Sequence, residues 1–294
     1  MVGDKGWKKW LVISFFLLPN FIGFLVFIGI PILTSLGLSF TKWDLLSTPE
    51  FIGFDNYKGI IEDTEFWSAL KNTLLFIIAY LPTVLIIALG IAMLLNKNMK
   101  GRAFFRAAYF IPVVSSWVAV SLIWKWLFNP TYGLVNYFLS WFGFVGPDWL
   151  QDPQWAMIAI VLTSVWKDTG FVMVLFLAGL QNISETYYEA AEIDGASPIK
   201  KFLHITIPLL TPTTFFILII SLINSFQVFD QVMIMTEGGP AGSTTVLVQK
   251  IYNHAFRYFE MGYASAVSWV LFLIIFIVTL IQNRLQKRWV DYEQ

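Results

Sequence analysis

The chain is 294 residues long, 57% hydrophobic, 18% aromatic and only 13% charged, with zero formal net charge and no cysteine. A soluble domain carries about 25% charged residues, so side chains this apolar call for lipid, and the class is a polytopic membrane protein. Zero net charge argues against a nucleic-acid partner, and the lack of cysteine removes disulfides, thiol chemistry and Cys-based metal sites.

Lys5, Lys8 and Lys9 lead into an apolar run that reaches about Phe40. The run outlasts a signal-peptide core and shows no convincing small-residue cleavage site, so an uncleaved first span is expected. Residues 11–40 exceed the length needed to cross. The excess leaves three outcomes open: tilt, a bend at Pro31, or emergence as a surface helix. Five further spans are expected near 73–95, 103–128, 155–180, 209–235 and 264–282. All six are read as helices, because an isolated span satisfies its backbone in lipid in no other way, and the fold is therefore all-α with six transmembrane helices.

Orientation follows the bias of lysine and arginine toward the cytoplasm. One set of flanks holds Lys5, Lys8, Lys9, Lys97, Lys100, Arg102, Arg106, Lys200, Lys201, Arg284, Lys287 and Arg288. The opposite set holds Lys42, Lys58, Lys71, Lys125, Lys250 and Arg257. The first set is twice as large, so both termini and residues 181–208 are expected in the cytoplasm. Loops near 41–71, 129–154 and 236–263 then face outward. Trp124, Trp126, Trp141, Trp149 and Trp155 bracket the second outer loop and fit an interfacial aromatic belt.

Between the fourth and fifth spans lies a polar helix-turn-helix, ETYYEAAEIDGASPIKKFLHITIP at 185–208. Ser184 caps a helix that begins at Glu185, whose charge suits the positive helix end. Gly195 supplies the left-handed stop, and Ser197-Pro198 restarts a second helix. Helical spacing puts Glu185, Glu189 and Glu192 on one face, with Tyr188 and Ala191 beside it. On the residues alone this segment is either a docking surface or a solvated loop with ordinary Asp194-Gly195 turn chemistry.

Polar residues inside spans mark candidate pathways, because each is costly in lipid. Lys167 and Asp168 lie mid-way along the fourth span, and as helix neighbours they do not face each other. Asn224, Ser225, Gln227, Asp230 and Gln231 occupy the second half of the fifth. Each alone reads as an interhelical hydrogen bond; together, around one wet cavity, they suit hydroxyl groups. Trp117, Trp166, Phe171, Phe226 and Phe229 are available to stack on a sugar face, although 28 phenylalanines make any nearby ring a weak signal. His204 and His254 stand apart, as hydrogen-bonded structural histidines ordinarily do. No G-x-x-x-x-G-K-[ST] phosphate loop occurs, and the glycine-rich run 238–243 has no lysine. No convergent nucleophile, base or metal cluster points to an enzyme.

Glu189-Ala190-Ala191, three residues, Gly195, nine residues and then Ile205-Thr206-Ile207-Pro208 resemble the cytoplasmic signature of binding-protein-dependent ABC importer permeases, with Ile207 in place of leucine. Residues 17–58, Phe229-Asp230-Gln231, Met235-Thr236-Glu237-Gly238-Gly239-Pro240, Ile251-Tyr252 and Ala255-Phe256 are similar to sugar permeases of the maltose type. The resemblance implies the type I importer fold with both termini cytoplasmic. It implies an N-terminal helix and outer loop at 1–70, a permease domain at 71–285 and a cytoplasmic tail at 286–294. Within the permease domain a coupling helix at 185–200 would use Glu185, Tyr188, Glu189, Ala190, Ala191, Glu192, Asp194 and Gly195 to meet a cytoplasmic ATPase. Carried over by position, the cavity residues would be Val113, Trp117, Asp168, Phe171, Asn224 and Ser225. Asp168 stands where the maltose type has glycine, so maltose itself does not carry over. The implied partners are a second homologous permease, two ABC ATPase subunits, an extracytoplasmic sugar-binding protein and the sugar, in the inner cell membrane. The chain would need no cofactor of its own, with ATP-Mg held by the ATPase. A glycerol-3-phosphate or other polyol-derivative cargo is an alternative, ranked lower because a phosphate favours an arginine in the cavity and none is expected there. A secondary sugar transporter is the alternative from another class; inverted repeats, its usual mark, are not detected.

Overall fold

The computed structural model describes residues 6–97, 99–287 and 289–290, with Lys8 and Lys9 described by backbone alone. Lys5 and Arg288 of the basic flanks, and the tail from 291, lie outside the described residues. Contacts divide the chain into one unit of Met1–Asp63 with Ile251–Val270 and another of Thr64–Lys250 with Leu271–Gln294.

The first unit opens with helix α1 (Trp7–Phe24), a π turn (Leu25–Gly29) and helix α2 (Ile30–Leu38). Together Trp10–Leu38 form a 29-residue apolar rod, and none of its most apolar window is buried. The rod passes Pro31 without breaking. Immediately before the proline, Ile30 N–H bonds back to Leu25, five residues away, and this widened turn makes room for a ring that clashes in a regular helix. A short antiparallel ladder follows, β1 (Thr41–Lys42) with β2 (Glu50–Phe51). Asp44 closes its loop: Oδ1 accepts from Leu46 N at 3.0 Å, Ser47 N at 2.7 Å and Ser47 Oγ at 2.7 Å. Those donors, Ser47 foremost, pull the Asp44 carboxyl down to about 2. Helix α3 (Asp55–Glu62) is anchored by Asn56, whose amide donates to Ser39 O and Thr41 O at 2.8 and 2.9 Å.

The second unit is a helical bundle. Helix α4 (Thr64–Asn96) runs through Pro82 and packs most extensively on a later central helix. The segment expected as one span at 103–128 is instead a broken pair. Helix α5 (Arg102–Val114) and helix α6 (Trp117–Leu127) meet at 101°. Pro112 weakens the end of α5, Ser115 and Ser116 are extended, and Ser116 Oγ accepts from Val118 N to begin α6. After a short helix α7 (Leu134–Trp141) comes α8 (Ala156–Asn182), the axis of the bundle: 67% of its apolar window is buried, against 28% for α4. Its buried hydroxyls are satisfied within the helix, as Thr163 to Ala159 O at 2.9 Å and Thr169 to Val165 O at 2.6 Å show.

The polar segment forms helix α9 (Glu185–Ile193) and helix α10 (Pro198–Lys201). A second π turn (Phe202–Thr206) precedes helix α11 (Ile207–Leu209), and it again falls just ahead of a proline, Pro208. Helix α12 (Thr211–Phe226) leaves at 62°. The fifth span therefore ends at Phe226, short of the expected 235; helix α13 (Asp230–Met235) is a separate piece beyond a break at 227–229. Helix α14 (Leu247–Tyr252) and helix α15 (Met261–Gln286) complete the chain, each passing from one unit into the other. Among the described residues four helices are long and apolar enough to cross, or up to six if each bent pair is one span.

The expected tryptophan belt is corrected in part. Trp149 is 7% exposed, packs with Phe128, Ala159 and Met235, and donates Nε1 to Asn136 Oδ1 at 2.7 Å. Trp124 and Trp155 lean on the same cluster. Only Trp126 and Trp141 stay exposed. An indole whose N–H finds a protein partner is as stable inside a core as at the headgroups.

Candidate functional site

Two places collect the residues singled out from the sequence. The first is the polar pair α9–α10. Ser184 accepts from Thr186 N at the start of α9. At its end Gly195 takes φ +73°, Gly195 N bonds to Glu192 O at 3.0 Å, and Ala196 N bonds to Ala191 O at 2.8 Å. These two bonds satisfy carbonyls that the helix would otherwise leave bare, and the left-handed φ favours glycine there. Tyr188 turns inward, its hydroxyl 2.9 Å from Thr206 Oγ1, and Ala191 sits half-buried. Glu185, Glu189, Ala190, Glu192, Asp194 and Gly195 are exposed. Lys201 Nζ donates to Glu192 at 2.6 Å, which holds that carboxyl below the ordinary glutamate range, first by the hydrogen bond and then by the charge. Sequence reasoning passed over Ile193 and Ile199, which are 87% and 71% exposed on this same segment. Large apolar side chains in a polar helix pair were the available signal.

The second place is a cavity of about 370 Å³ inside the bundle. Helix α4 contributes Phe76 and Tyr80, the α5–α6 break Val113 and Trp117, and α8 Lys167, Asp168, Phe171 and Val172. Helix α12 contributes Ser221, Asn224 and Ser225, the break after it Gln227, Val228 and Phe229, and α13 Asp230 and Gln231. All six carried-over positions, Val113, Trp117, Asp168, Phe171, Asn224 and Ser225, line this one space. Of the other aromatics, Phe229 lines it, whereas Phe226 is buried and Trp166 packs edge-on against Trp124 at 5.6 Å.

Lys167 and Asp168 go to different partners, as helix neighbours must. Lys167 Nζ donates to Pro112 O at 3.2 Å and Val113 O at 3.0 Å, and lies 4.8 Å from the centre of the Trp117 ring. It thus caps the carbonyl end of α5 where Pro112 and the break leave acceptors bare. Asp168 Oδ2 accepts from Tyr80 at 2.8 Å, and Tyr80 is itself stacked on Phe76 at 5.2 Å. Tyr80 is the cavity residue the sequence hid: a tyrosine in an apolar span reads as packing. Gly170 sets the spacing of these walls. A Cβ there would sit 1.9 Å from Tyr109 O, so α5 lies directly on the α8 backbone. Gln231 ties α13 to α8 through Ser164 Oγ at 3.1 Å. Among the described residues no group of three or more His, Cys, Asp or Glu is placed to hold a metal. His204 lies 3.1 Å from Lys200 O, and His254 lies 2.7 Å from Glu260.

Residues 72–291 match the family described as binding-protein-dependent transport system inner membrane component. The chain is 41% identical over 286 residues to the probable ABC transporter permease protein YesP of Bacillus subtilis (strain 168), covering 95% of this chain and 91% of that one. It is 39% identical over 264 residues to the lactose transport system permease protein LacF of Rhizobium radiobacter, covering 87% and 88%. Among solved structures it resembles a chain of the bacterial alginate ABC transporter in complex with alginate pentasaccharide-bound periplasmic protein. The TM-score is 0.83 and the identity 25%, over 97% of this chain and 98% of that one. The broken spans, the polar α9–α10 pair and a match over most of its length place this chain in the family of binding-protein-dependent transport system inner membrane components, multi-pass proteins of the inner membrane.

Proposed function

We propose that this chain is a permease subunit of an ATP-driven importer for sugars or oligosaccharides and forms half of the translocation path. The observation that carries the reading is the cavity. Hydroxyl, amide and carboxylate groups from α8, α12 and the break beyond it share one space with Trp117, Phe171 and Phe229. Saccharides need this mixture, polar groups for their hydroxyls and ring faces for their C–H faces. One relative is named for lactose, and the similar structure is of an alginate transporter whose periplasmic protein holds an alginate pentasaccharide; both support the same class. A glycerol-3-phosphate cargo is less favoured, because among the described residues no arginine lines the cavity.

The fuel comes from elsewhere, since the sequence has no phosphate loop. The α9–α10 pair is the handle by which a cytoplasmic ATPase moves the bundle. Exposed Glu185 and Glu189 offer charge to basic groups, and exposed Ala190, Ile193 and Ile199 offer an apolar surface. A second homologous permease closes the path, two ATPase subunits hold ATP-Mg, and a sugar-binding protein delivers cargo from outside. Closure of the ATPases rocks the spans between inward- and outward-open states, and the loaded binding protein biases the same equilibrium. No bond in this chain is made or broken.

Glu189→Lys tests the handle. The variant is expected to insert normally and to lose sugar-stimulated ATP hydrolysis by about tenfold or more, as reversal of a contact charge does. Co-purification with the ATPase and full stimulation would overturn the coupling role.

A further inference from the structure

The cavity has a charge pattern that selects among saccharides, and this inference rests on the saccharide reading above. Among the described residues its charged lining consists of one cation, Lys167, and two carboxylates, Asp168 and Asp230. The cation is already engaged. Lys167 is 5% exposed, and its ammonium donates to the Pro112 and Val113 carbonyls and lies against Trp117. Those carbonyls are the negative end of α5, so the lysine charge offsets a helix terminus. The carboxylates are turned toward the space instead. Tyr80 takes Asp168 Oδ2 and leaves Oδ1 as an acceptor, and Asp230 is exposed at the start of α13. The remaining polar lining groups, Tyr80, Ser221, Asn224, Ser225, Gln227 and Gln231, are neutral.

We propose that this cavity admits saccharides without acidic groups, neutral or amine-bearing, and rejects those carrying carboxylate, sulfonate or phosphate. Sugar hydroxyls donate to Asp168 Oδ1, and an ammonium substituent does so with charge assistance. An acidic substituent meets like charge from Asp168 and Asp230, and among the described lining residues no unengaged cation answers it.

The test uses the assembled transporter in nanodiscs and three size-matched probes: maltotriose, the fully deacetylated trimer of glucosamine, and trigalacturonate. Equilibrium binding is expected to rank the uronate at least about tenfold weaker than maltotriose, from repulsion by a carboxylate a few ångströms away. The amine trimer is expected to bind at least as tightly as maltotriose. Asp168→Asn, which keeps the shape and the Tyr80 contact, is expected to narrow the uronate gap to about threefold or less. Asp230→Asn at the exposed end of α13 is expected to narrow it in the same direction should Asp168→Asn fail to assemble. Uronate binding equal to that of maltotriose in the unaltered protein would overturn the charge rule and leave the saccharide reading standing. Failure of all three trimers to bind an assembled transporter would overturn the saccharide reading, and the rule with it.

Discussion

The α9–α10 pair and the cavity are built from the same kinds of hydrogen bond, but they close over different lengths of chain. In the pair, Tyr188 meets Thr206 across 18 residues and Glu192 meets Lys201 across 9. In the cavity, Tyr80 meets Asp168 across 88 residues, Gln231 meets Ser164 across 67, and Lys167 meets Val113 across 54. Ordering cost rises with loop length, so the pair forms from its own neighbourhood while the cavity waits for α4, α5, α6, α8, α12 and α13 to dock. A handle that moves as a unit benefits from local bonds. A cavity that opens to either side, as proposed above, benefits from bonds that the packing of spans controls.

The sharpest way to break this contrast is Gly170→Leu. Its Cβ would overlap Tyr109 O and drive α5 from α8, at a cost of about 3 kcal/mol, the upper end for overpacking. The thermal midpoint should fall, and hydrogen exchange should accelerate in 102–114 and 156–182 while protection of 185–193 persists. Equal loss of protection in both regions would contradict the contrast.

Lys167→Met is expected to cost less, about 2 kcal/mol, for two charged hydrogen bonds to carbonyls partly repaid by a side chain that fills the space. Because the chain has no cysteine, a spin-label pair can be placed at exposed Phe110 on α5 and Val118 on α6. The distance distribution across the break should broaden in the variant. An unchanged width would show that the 101° bend does not need its cap.

Tyr188→Phe removes the one side-chain bond identified between α9 and Thr206. About 1 kcal/mol of local protection should be lost in 185–193, with sugar binding in the cavity unchanged. A change at the cavity would mean that the two regions are coupled through this bond even at rest.

The smallest effect is a titration. The Glu192 carboxyl is held below its ordinary value of 4.5 by Lys201. The stabilising contribution is therefore complete above pH 4.5 and is lost as pH falls through the lowered folded value. Carboxyl carbon shifts of Glu192 should titrate below 4.5, and Lys201→Gln should move the midpoint upward. No movement would mean that the 2.6 Å pair does not persist in solution.

How much could be read beforehand follows the same division. Ser184, Gly195 and Ser197-Pro198 mark the helix ends of α9 and α10 where the structure has them. Caps and stops act within one turn, so adjacent residues suffice to place them. The third span was expected as one helix at 103–128, and the 101° turn beyond Pro112 was not visible in the residues. Apolar composition carries the expected fifth span to 235, whereas the helix stops at Phe226, because that composition continues through a break that Gln227 and Phe229 make in the backbone. Trp149 looked like an anchor at the headgroups and is core, because it folds back from the turn before α8 onto Asn136 of α7 and the Phe128 cluster.

Composition alone required lipid, and periodic capping chemistry alone drew the polar helix pair, because both depend on properties of single residues or of one helical turn. Which charge of the Lys167-Asp168 neighbours would stay available to the cavity was decided only when α5 and α4 docked on α8. Docking gave the lysine two carbonyls to cap and the aspartate one phenol to accept from. Adjacent side chains on a helix point about 100° apart, and only the surfaces they meet determine which is engaged and which stays available.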